Sequence, residues 1–311
     1  MKNPLLLSVD DDNATSRLDR FLKKQVPQLT QGLIEKALRK GDIKVNNQKS
    51  TSNYRLQTHD QIQVCETLTT LQEVTYQKEK IILELTKEDI AFIEANILWE
   101  DEQLLIFNKP QGLASQGGTG TKRHVDGLLQ SYGLLKRKVY KLVHRLDRDT
   151  SGVLVLAKTN QMARHLMEAF KNKTVQKTYQ AVISGILEPR YGHIDLPLLK
   201  STVGTKEKII VDPKGDKALT AYRTLKISDN REWSFVELQP KTGRTHQLRV
   251  HMQACETPIL GDYKYGATEG DNLMLHAFKL ELRDLDGARL TFEAPIPPYF
   301  QNFLDHEFSI K

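Results

Sequence analysis

Residues 151–157 read SGVLVLA, and they follow directly on HRLD and RDT. The stretch HRLDRDTSG at 144–152 holds a histidine, two arginines and two aspartates. The apolar half reads as a buried strand, and Thr150-Ser151-Gly152 reads as the turn that enters it. A buried strand commits the chain to a covered sheet. It also places Asp147 on a rigid edge, where sites are usually built. A structural cap, or a salt bridge from Asp147 to Arg145 or Arg148, is the plainer alternative on these residues alone.

Further apolar runs of strand length recur from residue 97 onward: QLLIFN, TYQAVISGIL, SFVELQP, HQLRVHM and RLTFEAP. Helical periodicity is rarer there and clearest in NQMARHLMEAFKN. This texture predicts a strand-rich α+β domain rather than alternating βαβ units. TKEDIAFIEAN predicts a short helix capped by Thr86. Residues 66–85 have no strong period, and 67–96 is read as a linker between a small module at 1–66 and a large domain at 97–311.

The small module shows two helices and a hairpin. TSRLDRFLKKQ carries Leu18, Phe21 and Leu22 at helical spacing, with Thr15 or Ser16 as N-cap and Pro27 as limit. LTQGLIEKALRKG adds Thr30 as cap, an apolar face of Leu33, Ile34, Ala37 and Leu38, and Gly41 as stop. Ile43 and Val45 alternate before an Asn46-Asn47 turn, and DQIQV supplies another strand. Arg17, Arg20, Lys23, Lys24, Lys36, Arg39 and Lys40 sit on the two helices. Such a basic pair of helices can lie along a phosphate backbone, although two solvated faces explain the charge equally well.

Three other stretches carry candidate chemistry. NKPQGLASQGGTGTK at 108–122 runs from a strand into a Gly-rich loop without Walker A spacing. In KTYQAVISG, Lys177 and Tyr179 share one strand face. KTGRTHQLRVHM at 241–252 reads as a Gly turn entering a strand, with Arg244, His246, Leu248 and Val250 on one side. His246 and His251 lack H-E-x-x-H spacing, so a metal pair is not expected. No G-x-S-x-G elbow is present, which argues against a serine hydrolase.

Taken together, KPQG at 109–112, HRLDRDTSG at 144–152, KTY at 177–179, KTGRTHQLRVH at 241–251, GDYKYG at 261–266 and LHA at 275–277 resemble the RluA-type pseudouridine synthases in order and spacing. The resemblance covers roughly 97–300 and implies an α+β pseudouridine synthase fold with a central mixed, largely antiparallel β-sheet. Residues 15–65 resemble the alpha-L RNA-binding module, named after ribosomal small-subunit protein S-four. YQKEKIILELTKEDIAFIEANILWEDE and GGTG resemble bacterial members that modify large-subunit ribosomal RNA.

The resemblance implies an isomerase that turns uridine within RNA into pseudouridine. It cuts the N1–C1′ bond, rotates the uracil and rejoins it through C5. It assigns Asp147 as the essential carboxylate, attacking C1′ or removing the C2′ proton. Arg244 becomes its guanidinium partner, and Tyr179 stacks on the uracil near C5. Arg145 enters the space vacated by the flipped base, at a cost of a few kcal/mol for flipping. Leu248, Lys177 and His144 contact the substrate, Leu248 standing where relatives more often have isoleucine. Many relatives carry a histidine where this chain has Gln116. No cofactor or metal is implied.

A net charge of +6 is compatible with a polyanionic partner without requiring one. No apolar run approaches a membrane span, and the opening MKNPLLLSVDDD does not read as a secretory signal. Two distant cysteines, Cys65 and Cys255, make a disulfide framework or zinc ribbon unexpected. A cytosolic monomer acting on large-subunit ribosomal RNA is the expectation. The rivals are a transfer-RNA enzyme of the same chemistry and a non-catalytic RNA-binding assembly factor. A glycoside hydrolase is weaker, for want of a second carboxylate with a matching motif.

Overall fold

The computed structural model describes residues 4–27, 29–69, 83–118, 123–203, 206–267 and 271–308. The chain divides into two compact units, 1–81 and 82–311. Residues 70–82 of the span read as a linker, and 119–120 of the GGTG loop, lie outside the described residues.

The first unit is built from β1 (Leu5–Ser8), α1 (Leu18–Gln25), α2 (Gln31–Lys40), β2 (Ile43–Val45), β3 (Gln61–Val64) and α3 (Glu66–Thr69). Its antiparallel sheet runs β1-β3-β2. The apolar stripes of α1 and α2 meet Ile43, Val45, Ile62 and Val64 in one core. This segregation leaves Arg20, Lys23, Lys24, Lys36, Arg39 and Lys40 exposed. Thr30 accepts from Leu33 N–H and Gly41 closes α2 at φ 86°, as the sequence predicts. Asn46 and Asn47 both take positive φ in the turn after β2.

One cap differs. Arg17 occupies the N-cap of α1 and Ser16 donates to Asn13 O instead. The amides of Leu18 and Asp19 donate to Tyr54 O and Ser52 O, so neighbouring backbone does the work expected of a capping side chain.

The second unit begins with α4 (Lys87–Ala95), β4 (Ile97–Glu100), β5 (Leu104–Lys109), α5 (Val125–Lys136), β6 (Lys141–Leu142), β7 (Ser151–Ala157) and α6 (Asn160–Lys171). It continues with β8 (Gln176–Ser184), β9 (Tyr191–Asp195), β10 (Leu198–Val203), β11 (Lys206–Val211), β12 (Leu219–Ile227) and β13 (Trp233–Pro240). It ends with α7 (Gln247–Ala254), β14 (Leu275–Arg283), β15 (Arg289–Glu293) and α8 (Pro298–Phe308).

Among the described residues, ten strands form one mixed sheet in the order β4-β5-β7-β14-β8-β13-β12-β9, with β15 on β14 and β6 on β7. Only the β7–β14 pairing is parallel; β10 and β11 form a separate hairpin. Every residue of β7 is buried because the sheet is covered on both faces. Leu154 and Leu156 enter a core with Phe107, Leu128 and Leu129, while Val153, Val155 and Ala157 enter another with Ile106, Met162 and Leu166. A third core joins Val182, Val236, Leu248 and Met252 to Phe300 and Leu304 of α8.

HQLRVHM is a helix, not the expected strand. Its polar–apolar alternation misleads because α7 is packed on all sides. Gln247, Leu248, Arg249, Val250, His251 and Met252 are all buried, and the polar ones are satisfied internally. Gln247 Nε2 donates to Leu219 O and Thr220 Oγ1, and His251 Nε2 to Leu196 O. No helix among the described residues is long and apolar enough to cross a membrane.

Candidate active site

A cleft of about 580 Å³ opens in the second unit along β8, the 144–150 loop and the start of α7. His144, Arg145, Asp147, Lys177, Tyr179, Arg244 and Leu248 all line it, so the structure brings these seven candidate residues into one cleft. A neighbouring cavity shares Arg145, Asp147, His246 and Arg249 and extends past Gly117 and Lys264. Asp147 therefore stands at the junction of the two.

The loop that carries Asp147 is held from below. Lys109, at the end of β5, is fully buried and donates three hydrogen bonds: to Pro110 O and Leu113 O at 2.8 Å and to Arg148 O at 2.9 Å. Burial pushes its ammonium down to about 7, against the pull of Asp149 and Asp147. Ser115 Oγ donates to Leu146 O and accepts from Leu146 N–H. Arg148 Nε donates to Gly112 O. The KPQG and HRLD loops are thus one hydrogen-bonded body. Gly152, at φ 115°, lets β7 pass against β14; a Cβ there would meet Ala277 O at 2.2 Å.

Asp147 keeps 27% of its side chain exposed. Tyr179, half-buried on β8, has its phenol pushed up by burial and then by the charge of Asp147. His144 is not a cleft base. Its ring stacks on Phe170 at 4.5 Å and its Nε2 accepts from Val155 N–H. Burial, with the charge of Lys177, holds it down to about 3. Lys177 is itself lowered by burial and by Lys173. Leu248 bridges the cleft and the core beneath it.

Arg244 lines the cleft but does not pair with Asp147, as expected of it. Its Nη1 lies 3.1 Å from Asp216, and its Nε donates to Lys217 O. The buried guanidinium whose charge reaches Asp147 is that of Arg249. The resemblance, not the strand pattern, implies the pairing of Arg244 with Asp147. His246, the N-cap of α7, and Arg249, in its first turn, both line the two cavities that Asp147 joins.

The surroundings of these two residues were not legible as a site. Arg249 Nε and Nη2 donate to the buried Asp262 at 2.7 Å each, which outweighs burial and raises its affinity for its proton. His246 sits at φ 52°, a left-handed conformation uncommon outside glycine. Its Nε2 lies 3.9 Å from Asp147 and its Nδ1 2.7 Å from the hydroxyl of buried Tyr265. The GDYKYG stretch supplies Asp262 and Tyr265; its position in the motif set was the only signal. Among the described residues, no group of three or more His, Cys, Asp or Glu could hold a metal ion.

In the first unit, Arg17 is engaged with Asp19, through Nε at 3.1 Å and Nη2 at 2.7 Å, and is half-buried. Lys24 reaches Asn13. The remaining basic residues of α1 and α2 face solvent.

Residues 103–254 match the RNA pseudouridylate synthase family, and residues 16–62 match the S4 domain. The chain is 38% identical to the ribosomal large subunit pseudouridine synthase C of Rickettsia felis, over 92% of this chain and 95% of that one. It is 34% identical to the protein of that name from Pasteurella multocida, over 96% and 92%. Among solved structures, human RNA pseudouridylate synthase domain containing 4 matches with a TM-score of 0.59 at 29% identity, over 70% of this chain and 95% of that one. Human RNA pseudouridylate synthase domain containing 1 matches at 0.56 and 26%, over 66% and 85%.

Proposed function

Because the chain belongs to the RNA pseudouridylate synthase family, we propose that it converts specific uridines of large-subunit ribosomal RNA to pseudouridine. The observation that carries this reading at the level of the site is the shared cleft of Asp147 and Tyr179, walled by Arg145, Lys177 and Arg249. One carboxylate beside a phenol, within a mainly cationic wall, suits a flipped nucleotide whose sugar reacts and whose phosphates need counter-charge.

In this reading Asp147 acts on the ribose, either at C1′ or on the C2′ proton. Arg249 supports its charge. Tyr179 packs against the detached uracil while C5 is turned toward C1′. Arg145, exposed at the mouth, takes the place of the everted base, and Leu248 floors the pocket. The exposed basic residues of α1 and α2 hold flanking RNA. The isomerisation exchanges one bond to C1′ for another and moves a proton, so no external electron or group donor enters the balance.

Release of tritium from ribosomal RNA labelled at uridine C5 tests the reaction. Asp147→Asn is expected to keep the fold and abolish release, and normal turnover by that variant would end the assignment. Mapping pseudouridines in RNA from cells with and without the gene tests the substrate. Loss confined to transfer RNA would redirect the assignment.

A further inference from the structure

We propose that His246, locked by the Tyr265 hydroxyl in its Nε2–H tautomer, is a positioning residue that presents a neutral hydrogen-bond donor to the Asp147 carboxylate. This inference rests on the reading of Asp147 as the reacting group.

The hydrogen count around Tyr265 carries it. Ile209 N–H donates to the Tyr265 hydroxyl oxygen at 3.3 Å. The oxygen still has one hydrogen to give, and His246 Nδ1 stands 2.7 Å away. Donation there makes Nδ1 the acceptor and puts the ring hydrogen on Nε2. That nitrogen faces Asp147 Oδ2 at 3.9 Å. The opposite tautomer would aim a lone pair at a carboxylate and deprive the buried hydroxyl of its acceptor.

A doubly protonated ring is opposed by its other neighbours. Arg249 lies 5.2 Å from the centroid of the Tyr265 ring, with Lys208 and Lys264 also over it at 5.4 and 5.9 Å. Around His246 itself, Arg249 and Lys264 work with burial against a charge, and Asp147 and Asp262 favour one; the balance lowers its pKa. Asp262 already takes Arg249 Nε and Nη2, so the cation supports Asp147 through its field while the histidine fixes orientation. A gap of 3.9 Å is longer than a hydrogen bond, and such contacts tighten when substrate fills the site. The left-handed backbone of His246 is the local signature of a residue held for its direction.

The test uses the full chain labelled with ¹⁵N-histidine, with His246 assigned from a His246→Gln variant. The ring-nitrogen shifts are expected to show Nε2 protonated and Nδ1 bare near neutral pH, and Tyr265→Phe to give a mixture of tautomers. In single-turnover pseudouridine formation on transcribed large-subunit RNA, His246→Ala and Tyr265→Phe should lower the rate about 10- to 100-fold, as for other groups that orient a reacting residue. RNA affinity should hold within about twofold, since only the chemical step is touched.

His246→Gln, whose amide N–H reaches the same place, should recover most of the rate. In that background Tyr265→Phe should cost nothing further. A ring found protonated on Nδ1, or on both nitrogens, overturns the proposal, as does an equal Tyr265→Phe loss in both backgrounds. Failure of the wild-type chain to make any pseudouridine would instead refute the assigned reaction, while the nitrogen shifts would still report the tautomer.

Discussion

Lys109 has no counter-ion within hydrogen-bonding distance among the described residues, yet it is fully buried, and three carbonyls from two loops account for it. Lys109→Met keeps the length and removes every donor. Each buried acceptor left unsatisfied costs about 1–3 kcal/mol, so the variant is expected to lose roughly 3 kcal/mol or more in urea denaturation. His276 gives a pH dependence. Its Nδ1 lies 2.9 Å from Ser151 Oγ, its Nε2 donates to Ala294 O, and burial pushes its pKa down to about 4. An unfolded histidine titrates near 6.5, so between about pH 6.5 and 4 the unfolded chain binds the extra proton. Stability is complete above that window and is lost as pH falls through it, approaching about 3 kcal/mol. Thermal midpoints measured from pH 7 to 4 should decline, and less steeply in His276→Gln.

Helix α4 owes its start to a reciprocal pair: Thr86 accepts from Asp89 N–H, and Asp89 accepts from Thr86 N–H. Thr86→Ala is expected to cost about 1 kcal/mol, read as a lower melting temperature with activity retained. That helix was legible because caps are local chemistry. So were α2, α6 and the runs that became β5, β7, β8 and β13, whose apolar content matches a sheet covered twice. Helix α7 was not legible. Its alternation obeys a period of two, and only distant residues such as Leu219, Thr220 and Asp262 give its polar side chains a buried home. The partnership of Arg244 with Asp147 is implied by the resemblance alone, and the structure pairs Arg244 with Asp216 while Arg249 shares the cleft of Asp147. Strand β1 is equally silent in the sequence, because four residues carry no period until β3 pairs with them.

For the whole molecule, the proposed grip on RNA is electrostatic, so affinity should fall steeply with salt. If Lys36, Arg39 and Lys40 each neutralise a phosphate, replacing all three by glutamine should flatten the log–log salt slope by about 2–3. An unchanged slope would remove α2 from the RNA path. The order of the sheet has a consequence in time. The strand entered by the Asp147 loop and the strand bearing Tyr179 are not neighbours; β14, made some hundred residues later, lies between them. A chain still emerging from the ribosome can therefore hold both groups without holding them together. Competence is expected to arrive late in synthesis, once the C-terminal segment has inserted β14 between β7 and β8.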